Sequence, residues 1–273
     1  MRVVGLFALV VLGVPAWPAE ATDFANRLDP PSGRHLLGTD QLGRDVLARV
    51  LGGIRWTVGL GLVAVVASLV VGLVVGLGTG WLDGTRARVV ATLVQSVVDL
   101  VVALPALLVG LLVAAVLGPG VVPAVIALAV MGWAPFARLA HRLTVAARAE
   151  DWVLAARSLG AGPVWILRVH VLPAIAGPVR EAFTARFVGA VLTLAGLSFL
   201  GLGVQPPTPE WGAMLAEGRT YAFVAPWLVV APAAAVVLVS GLMSSARRPR
   251  RRPWPAAWAR PRRSRGSSTR SRG

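Results

Sequence analysis

Glu150-Asp-Trp-Val-Leu-Ala-Ala-Arg-Ser-Leu-Gly-Ala-Gly-Pro-Val-Trp-Ile-Leu-Arg-Val-His-Val-Leu-Pro173 is an arginine-studded amphipathic stretch set between two long apolar runs. A polar segment between apolar runs of that length has to lie outside the hydrocarbon of a bilayer, because lipid satisfies none of its charges. Its pattern predicts helix, turn, helix. Asp151 is the expected N-cap, the helix runs to Leu159, residues 160–163 break it, and residues 164–171 resume it until Pro173. Ala155, Ala156 and Gly160 form a tight face of small residues against which a partner could press, and Trp152 and Trp165 are available as interface anchors. On these residues alone, a docking element for a cytoplasmic motor and a loop that merely reconnects two spans are equally served.

The flanking runs set the class of protein. Of the 273 residues 56% are hydrophobic and 14% charged, with a mean hydropathy of +0.73, outside the range of soluble domains. A helical span needs about 20 mostly apolar residues. Residues 56–81, 89–117, 121–140, 187–204 and 225–243 qualify. The run at residues 3–17 is short, and Val14-Pro15-Ala16 resembles a cleavage site, so residues 1–17 read either as a first transmembrane helix or as a signal-like segment. The expected architecture is all-α and polytopic, with about six transmembrane helices. Residues 18–55 form an external loop, residues 56–246 the transmembrane domain with an inner loop at 141–177, and residues 247–273 a disordered basic tail.

Basic residues orient the spans, since short cytoplasmic loops accumulate arginine. Arg86 and Arg88 follow the first of the five long runs, and Arg138, Arg142, Arg148, Arg157, Arg168, Arg180 and Arg186 crowd the region between residues 138 and 186. Both regions are expected inside. The net charge of +15 is concentrated at the end: eleven arginines follow Ala246, and without them 16 basic face 12 acidic residues. A tail rich in Arg, Pro and Ser is read as attracted to anionic membrane lipid rather than to nucleic acid.

No cysteine is present, which removes disulfides, thiol catalysis and cysteine metal sites. His35, His141 and His170 have no metal-ligand spacing, so no metal site is expected. No nucleophile elbow, zinc-binding helix or P-loop occurs. Asp99, a carboxylate inside an apolar run, is either a translocation-path residue or a helix-end charge near the interface. Without a nucleotide-binding loop, transport would draw on a partner's ATP hydrolysis or on an ion gradient.

Leu154-Ala-Ala-Arg-Ser-Leu-Gly-Ala with Val171-Leu-Pro173 resembles the coupling loop of permease subunits of binding-protein-dependent ABC importers. His35-Leu-Leu-Gly-Thr-Asp-Gln-Leu-Gly-Arg-Asp-Val-Leu-Ala-Arg49 and Leu197-Ser-Phe-Leu-Gly-Leu-Gly-Val-Gln-Pro-Pro-Thr-Pro-Glu-Trp-Gly-Ala-Met-Leu-Ala-Glu-Gly-Arg219 are similar to the dipeptide, oligopeptide and nickel group, specifically to its second membrane subunit. The resemblance spans residues 34–242. It implies a type I ABC importer transmembrane fold in a bacterial cytoplasmic membrane. The implied partners are a homologous second permease subunit, two cytoplasmic ABC ATPases and an extracytoplasmic solute-binding protein. No cofactor would be bound by this chain, and ATP would be used by the partners. Leu154, Ala155, Ala156, Gly160, Leu172 and Pro173 would couple to the ATPase. Asp40, Gly43, Arg44, Asp45, Gln205, Pro206, Pro207 and Trp211 would face the binding protein. Peptides are the first expected cargo, nickel or another small solute the alternative, and an ion-coupled carrier or channel the rival class. Two departures stand out. Leu154 replaces the acidic residue that usually opens the motif, and after Leu242 the resemblance stops, through a shifted reading frame or through divergence.

Overall fold

The computed structural model describes residues 22–245, which fold as helices joined by turns. The segment at 1–17 and the basic tail at 247–273 lie outside the described residues. Helix α1 (Val46–Gly53), a π-helical turn at Ile54–Val58 and α2 (Gly59–Leu82) run together as one 37-residue rod. The rod begins at Val46, inside the segment expected to be external loop. Local chemistry accounts for the early start: the Asp45 carboxylate accepts the Ala48 N–H at 2.9 Å as an N-cap, and Arg49 is neutralised by acidic neighbours.

The run expected as a single span at 89–117 is two helices, α3 (Arg88–Ala103) and α4 (Ala106–Leu117), bent by 89°. Pro105 explains the break. It has no N–H to continue the ladder, and it holds Leu104 in an extended conformation with ψ of 133°. Helix α5 (Val121–Arg148) extends beyond its expected end. The inner loop then holds α6 (Asp151–Ser158) and α7 (Pro163–Ile166). A π-helical turn at Leu167–Val171 joins α7 to α8 (Leu172–Phe199), so 37 residues from Pro163 to Phe199 form one helical run. Two expectations change here. The span starts well before residue 187, and it ends at Phe199 because the chain turns back, the Leu202 N–H donating to the Leu197 carbonyl at 2.9 Å. Helices α9 (Trp211–Gly218) and α10 (Trp227–Ser245) complete the described chain. Among the described residues four runs are long and apolar enough to cross a membrane, or five if the bent α3–α4 pair is one span.

The centre is the α2–α5 pair. Gly72, Gly76 and Gly80, spaced four apart on α2, lie so close to α5 that a Cβ at any of them would come within 3.0 Å of an atom there, including the carbonyls of Trp133, Ala137 and His141. In lipid, where apolar burial gives little drive to associate, such small-residue stripes let backbones approach and gain dispersion contact. Phe136, Phe187, Val191, Trp211 and Met214 bury a shared core that joins α5, α8 and α9.

Candidate functional site

At the inner end, α6 packs beside Trp81 at the end of α2. Val153 and Ala156 point into a core with Ile166, Val171 and Ile175, while Asp151, Trp152, Leu154 and Ala155 stand exposed on the opposite side. Glu150 occupies the N-cap position without a side-chain hydrogen bond, and Asp151, expected as the N-cap, is the first helical residue, so the helix begins one residue earlier than expected. The helix stops at Gly160, whose φ of +84° suits glycine, with the Gly160 N–H on the Arg157 carbonyl at 2.9 Å and the Ala161 N–H on that of Ala156 at 3.0 Å. Leu159 is 89% exposed and Trp165 50%. Leu172 and Pro173, at the start of α8, are exposed on the same inner end of the molecule. His170 lies between Trp152, tilted by 46° at a ring separation of 5.7 Å, and Trp165, edge-on at 4.9 Å.

Two residues outside the expected set fasten α6 to the rod. The Arg157 guanidinium lies 4.4 Å from the ring centre of Trp81, at the inner end of α2, and Arg148 lies 5.3 Å from the same ring. Arg148 also donates to the Gly80 carbonyl at 3.2 Å. One indole thus receives a cation from α6 and a cation from α5.

At the outer end, the predicted binding-protein-facing residues separate into two groups. Asp40, Gly43, Arg44 and Trp211 are buried, Asp45 and Gln205 are half-buried, and Pro206 and Pro207, joined by a cis peptide bond, are exposed. The buried group is a scaffold. Asp40 Oδ2 takes Arg44 Nε at 2.6 Å and Arg49 Nη1 at 2.8 Å, and the two arginines reach Glu217 of α9 at 3.2 and 2.6 Å. Four charges close on one another, Asp40 and Arg44 from the segment before α1, Arg49 from α1 and Glu217 from α9. Gly43 sits in the intervening turn with φ of +74° against the Asp23 carbonyl. Asp45 pairs with His35 Nδ1 at 2.7 Å through the oxygen that does not cap α1. Trp211 Nε1 donates to the Val50 carbonyl at 2.9 Å, and Glu210 caps α9 while accepting the Thr57 hydroxyl at 3.0 Å. Arg49 and Glu217 had a sequence signal, since both belong to the quoted blocks, but their pairing is a tertiary fact.

Between the ends, Asp99 meets Arg138 of α5 at 2.6 Å, so its charge is already matched and clamps α3 to α5. It does not line the open cavity of about 330 Å³ formed by α2, α4, α5 and α8. Arg186 does. Arg138, Arg180 and Arg186 were expected in an inner loop, whereas they lie within α5 and α8. The helical run from Pro163 explains the shift: an apolar window opening at residue 187 hides the amphipathic first half of the helix.

Residues 72–248 match the family of binding-protein-dependent transport system inner membrane components. The chain is 41% identical over 217 residues to the di/tripeptide transport system permease protein DppC of Pseudomonas aeruginosa, covering 77% of this chain and 70% of that protein. It is 39% identical over 216 residues to the glutathione transport system permease protein GsiD of Shigella flexneri, covering 79% and 70%. In fold it is similar to a chain of the inward-facing MetNI methionine ABC transporter, with a TM-score of 0.59 at 20% identity over 74% of this chain and 94% of that one. The helical arrangement is therefore the transmembrane fold of type I ABC importers, and the relatives are transport permeases whose ATPase is a separate subunit. A multi-pass chain with this outer cap and inner loop belongs to the binding-protein-dependent transport system inner membrane components, the permease subunits of ABC importers.

Proposed function

We propose that this chain is one half of the translocation path of an importer for short peptides, set in a bacterial cytoplasmic membrane beside a homologous second permease. Two cytoplasmic ATPases drive it, and an extracytoplasmic binding protein delivers the cargo. The observation that carries the cargo is the 41% identity to a di/tripeptide permease. The glutathione permease relative favours the same chemistry, because glutathione is itself a tripeptide.

The coupling role rests on the inner loop. Leu154, Ala155 and Gly160 offer exposed small and apolar surface on a short helix, with Leu172 and Pro173 beside it, and an ATPase groove covers that surface. Closure of the ATPase pair moves α6, and the Arg157–Trp81 contact passes the movement to the 37-residue rod. At the outer end Gln205, Pro206 and Pro207 meet the binding protein, held in position by the buried Asp40, Gly43, Arg44 and Trp211 and the half-buried Asp45. The path runs along the α2, α4, α5 and α8 cavity, and Asp99 contributes through its pair with Arg138. No cofactor binds this chain, and ATP is consumed by the partners.

The test is ATP-dependent uptake by proteoliposomes holding this chain, its second permease and its ATPases, supplied with the binding protein. Uptake of dialanine or a tripeptide, competed by other short peptides, is the expected result. Uptake of nickel or another non-peptide solute with no competition by peptides would overturn the cargo.

A further inference from the structure

Arg186 is an exposed charged residue within the α8 helical run that lines the cavity, and it has no ion pair among the described residues. It lies 13 residues from Phe199, about 20 Å from the outer end of its helical run at 1.5 Å per residue, and about 35 Å from the inner end. From there its side chain is too short to bring the guanidinium to the interface, and a cation at such depth persists where it serves a site or a water-filled path. On α5, Arg138 is matched by Asp99, and Arg148 by the Gly80 carbonyl and the Trp81 ring. Among the described residues Arg186 has no acidic, hydroxyl, carbonyl or aromatic partner.

The cavity it lines supplies a setting for one anion. Arg186 is the only charged residue in its wall, which is otherwise built from residues such as Ser68, Met131, Gly132, Gly189 and Thr193. The Ser68 hydroxyl is committed to the Ala64 carbonyl at 2.7 Å, which leaves Thr193, two turns along the same helix face, as the accompanying hydroxyl. Gly132 and Gly189 add no side-chain bulk. A volume of about 330 Å³ lies at the small end of ligand sites, which run from roughly 300 to 1,000 Å³.

We propose that Arg186 binds the carboxylate of the passing cargo, so that the cavity selects for a free C-terminal carboxylate while its apolar wall accepts differing side chains. A guanidinium presents two parallel N–H donors that match the two oxygens of a carboxylate, a charge-assisted pair stronger than the neutral contacts around it. The carboxylate is the one anionic group that every peptide with a free C-terminus carries, whatever its side chains. This assignment rests on the peptide reading for its cargo but on Arg186 and its cavity for its chemistry.

The test uses the assembled complex of this chain with its second permease and ATPases, as wild type, Arg186→Gln and Arg186→Lys. Binding of N-acetylalanine and of N-acetylalaninamide to the complex in nanodiscs is measured first, without any binding protein. The wild type should prefer the carboxylate by about tenfold or more, Arg186→Gln should lose the preference, and Arg186→Lys should keep part of it. Dialanine uptake should fall in Arg186→Gln by a similar factor, while uptake of its C-terminal amide is unchanged. A wild type without carboxylate preference, or an Arg186→Gln complex that retains it, overturns the proposal. So does an Arg186→Gln complex that no longer assembles while Arg186→Glu assembles no worse, because Arg186 would then be packing against the second permease. Carboxylate-specific, Arg186-dependent binding without dialanine uptake would uphold the site and refute the peptide cargo.

Discussion

The two ends of the rod are built by opposite chemistry. At the outer end Asp40, Arg44, Arg49 and Glu217 satisfy one another in a buried cluster, and indole and carboxylate caps fix the helices around it. At the inner end α6 has no side-chain cap, shows apolar side chains to solvent, and is fastened by cations over a single indole. A closed polar network tolerates little change and holds a shape, whereas an open apolar helix has surface that only a partner can cover. Under the proposed function, the outer end is a rigid platform and the inner end the point where force enters.

That contrast breaks most sharply at Arg49. Arg49→Ala leaves Asp40 and Glu217 facing each other with one fewer cation, and removing one partner of a buried pair costs about 3–5 kcal/mol. Thermal unfolding of the purified chain in nanodiscs should show a large loss, and an unchanged midpoint would mean that the cluster does not hold the outer end. Asp45→Ala removes an N-cap and the His35 pair, with an expected loss of about 1–2 kcal/mol in the same assay. At the inner end, Trp81→Ala deletes two cation–π contacts worth about 1 kcal/mol each. Its signature is functional: the ATPase still co-purifies, while stimulation of ATP hydrolysis by loaded binding protein drops. Full stimulation in that variant would show that the rod is not moved through Trp81. The smallest effect is expected from Leu154→Glu on the exposed face of α6, with stability unchanged within about 0.5 kcal/mol. Restoring an acid there should increase ATPase retention, and weaker retention would place the ATPase contact elsewhere.

Much of this molecule was legible in its residues. Apolar runs and arginine placement give an all-helical membrane chain, and the long blocks around Asp40, Gly160 and Trp211 point to its family. The boundaries were less legible for reasons each helix makes clear. Pro105 turns one apolar run into two helices, which hydropathy does not register. The amphipathic segment before residue 56 belongs to a long helix because Asp40 and Glu217 neutralise Arg49, and the one before residue 187 because the helical run continues unbroken from Pro163. Site residues show the same division. Leu154, Ala155, Gly160, Leu172 and Pro173 are exposed where the local pattern put them, although Ala156, read onto the same face, is buried in the inner core; the outer cluster joins residues more than 160 positions apart, and Trp81 meets Arg157 and Arg148 only in the tertiary fold.

The most direct test of the inner end as the point of force entry is ATPase retention. This chain, its second permease and both ATPases are co-expressed, the membrane subunits are purified, and the bound ATPase is quantified for wild type and Ala155→Arg. Ala155 is exposed in the middle of α6, so a large charged side chain there leaves the fold intact while blocking close approach. The structure predicts stoichiometric ATPase with the wild type and its loss in a variant of unchanged thermal stability. Equal ATPase retention by a stably folded Ala155→Arg would contradict the assignment of α6 as the docking helix.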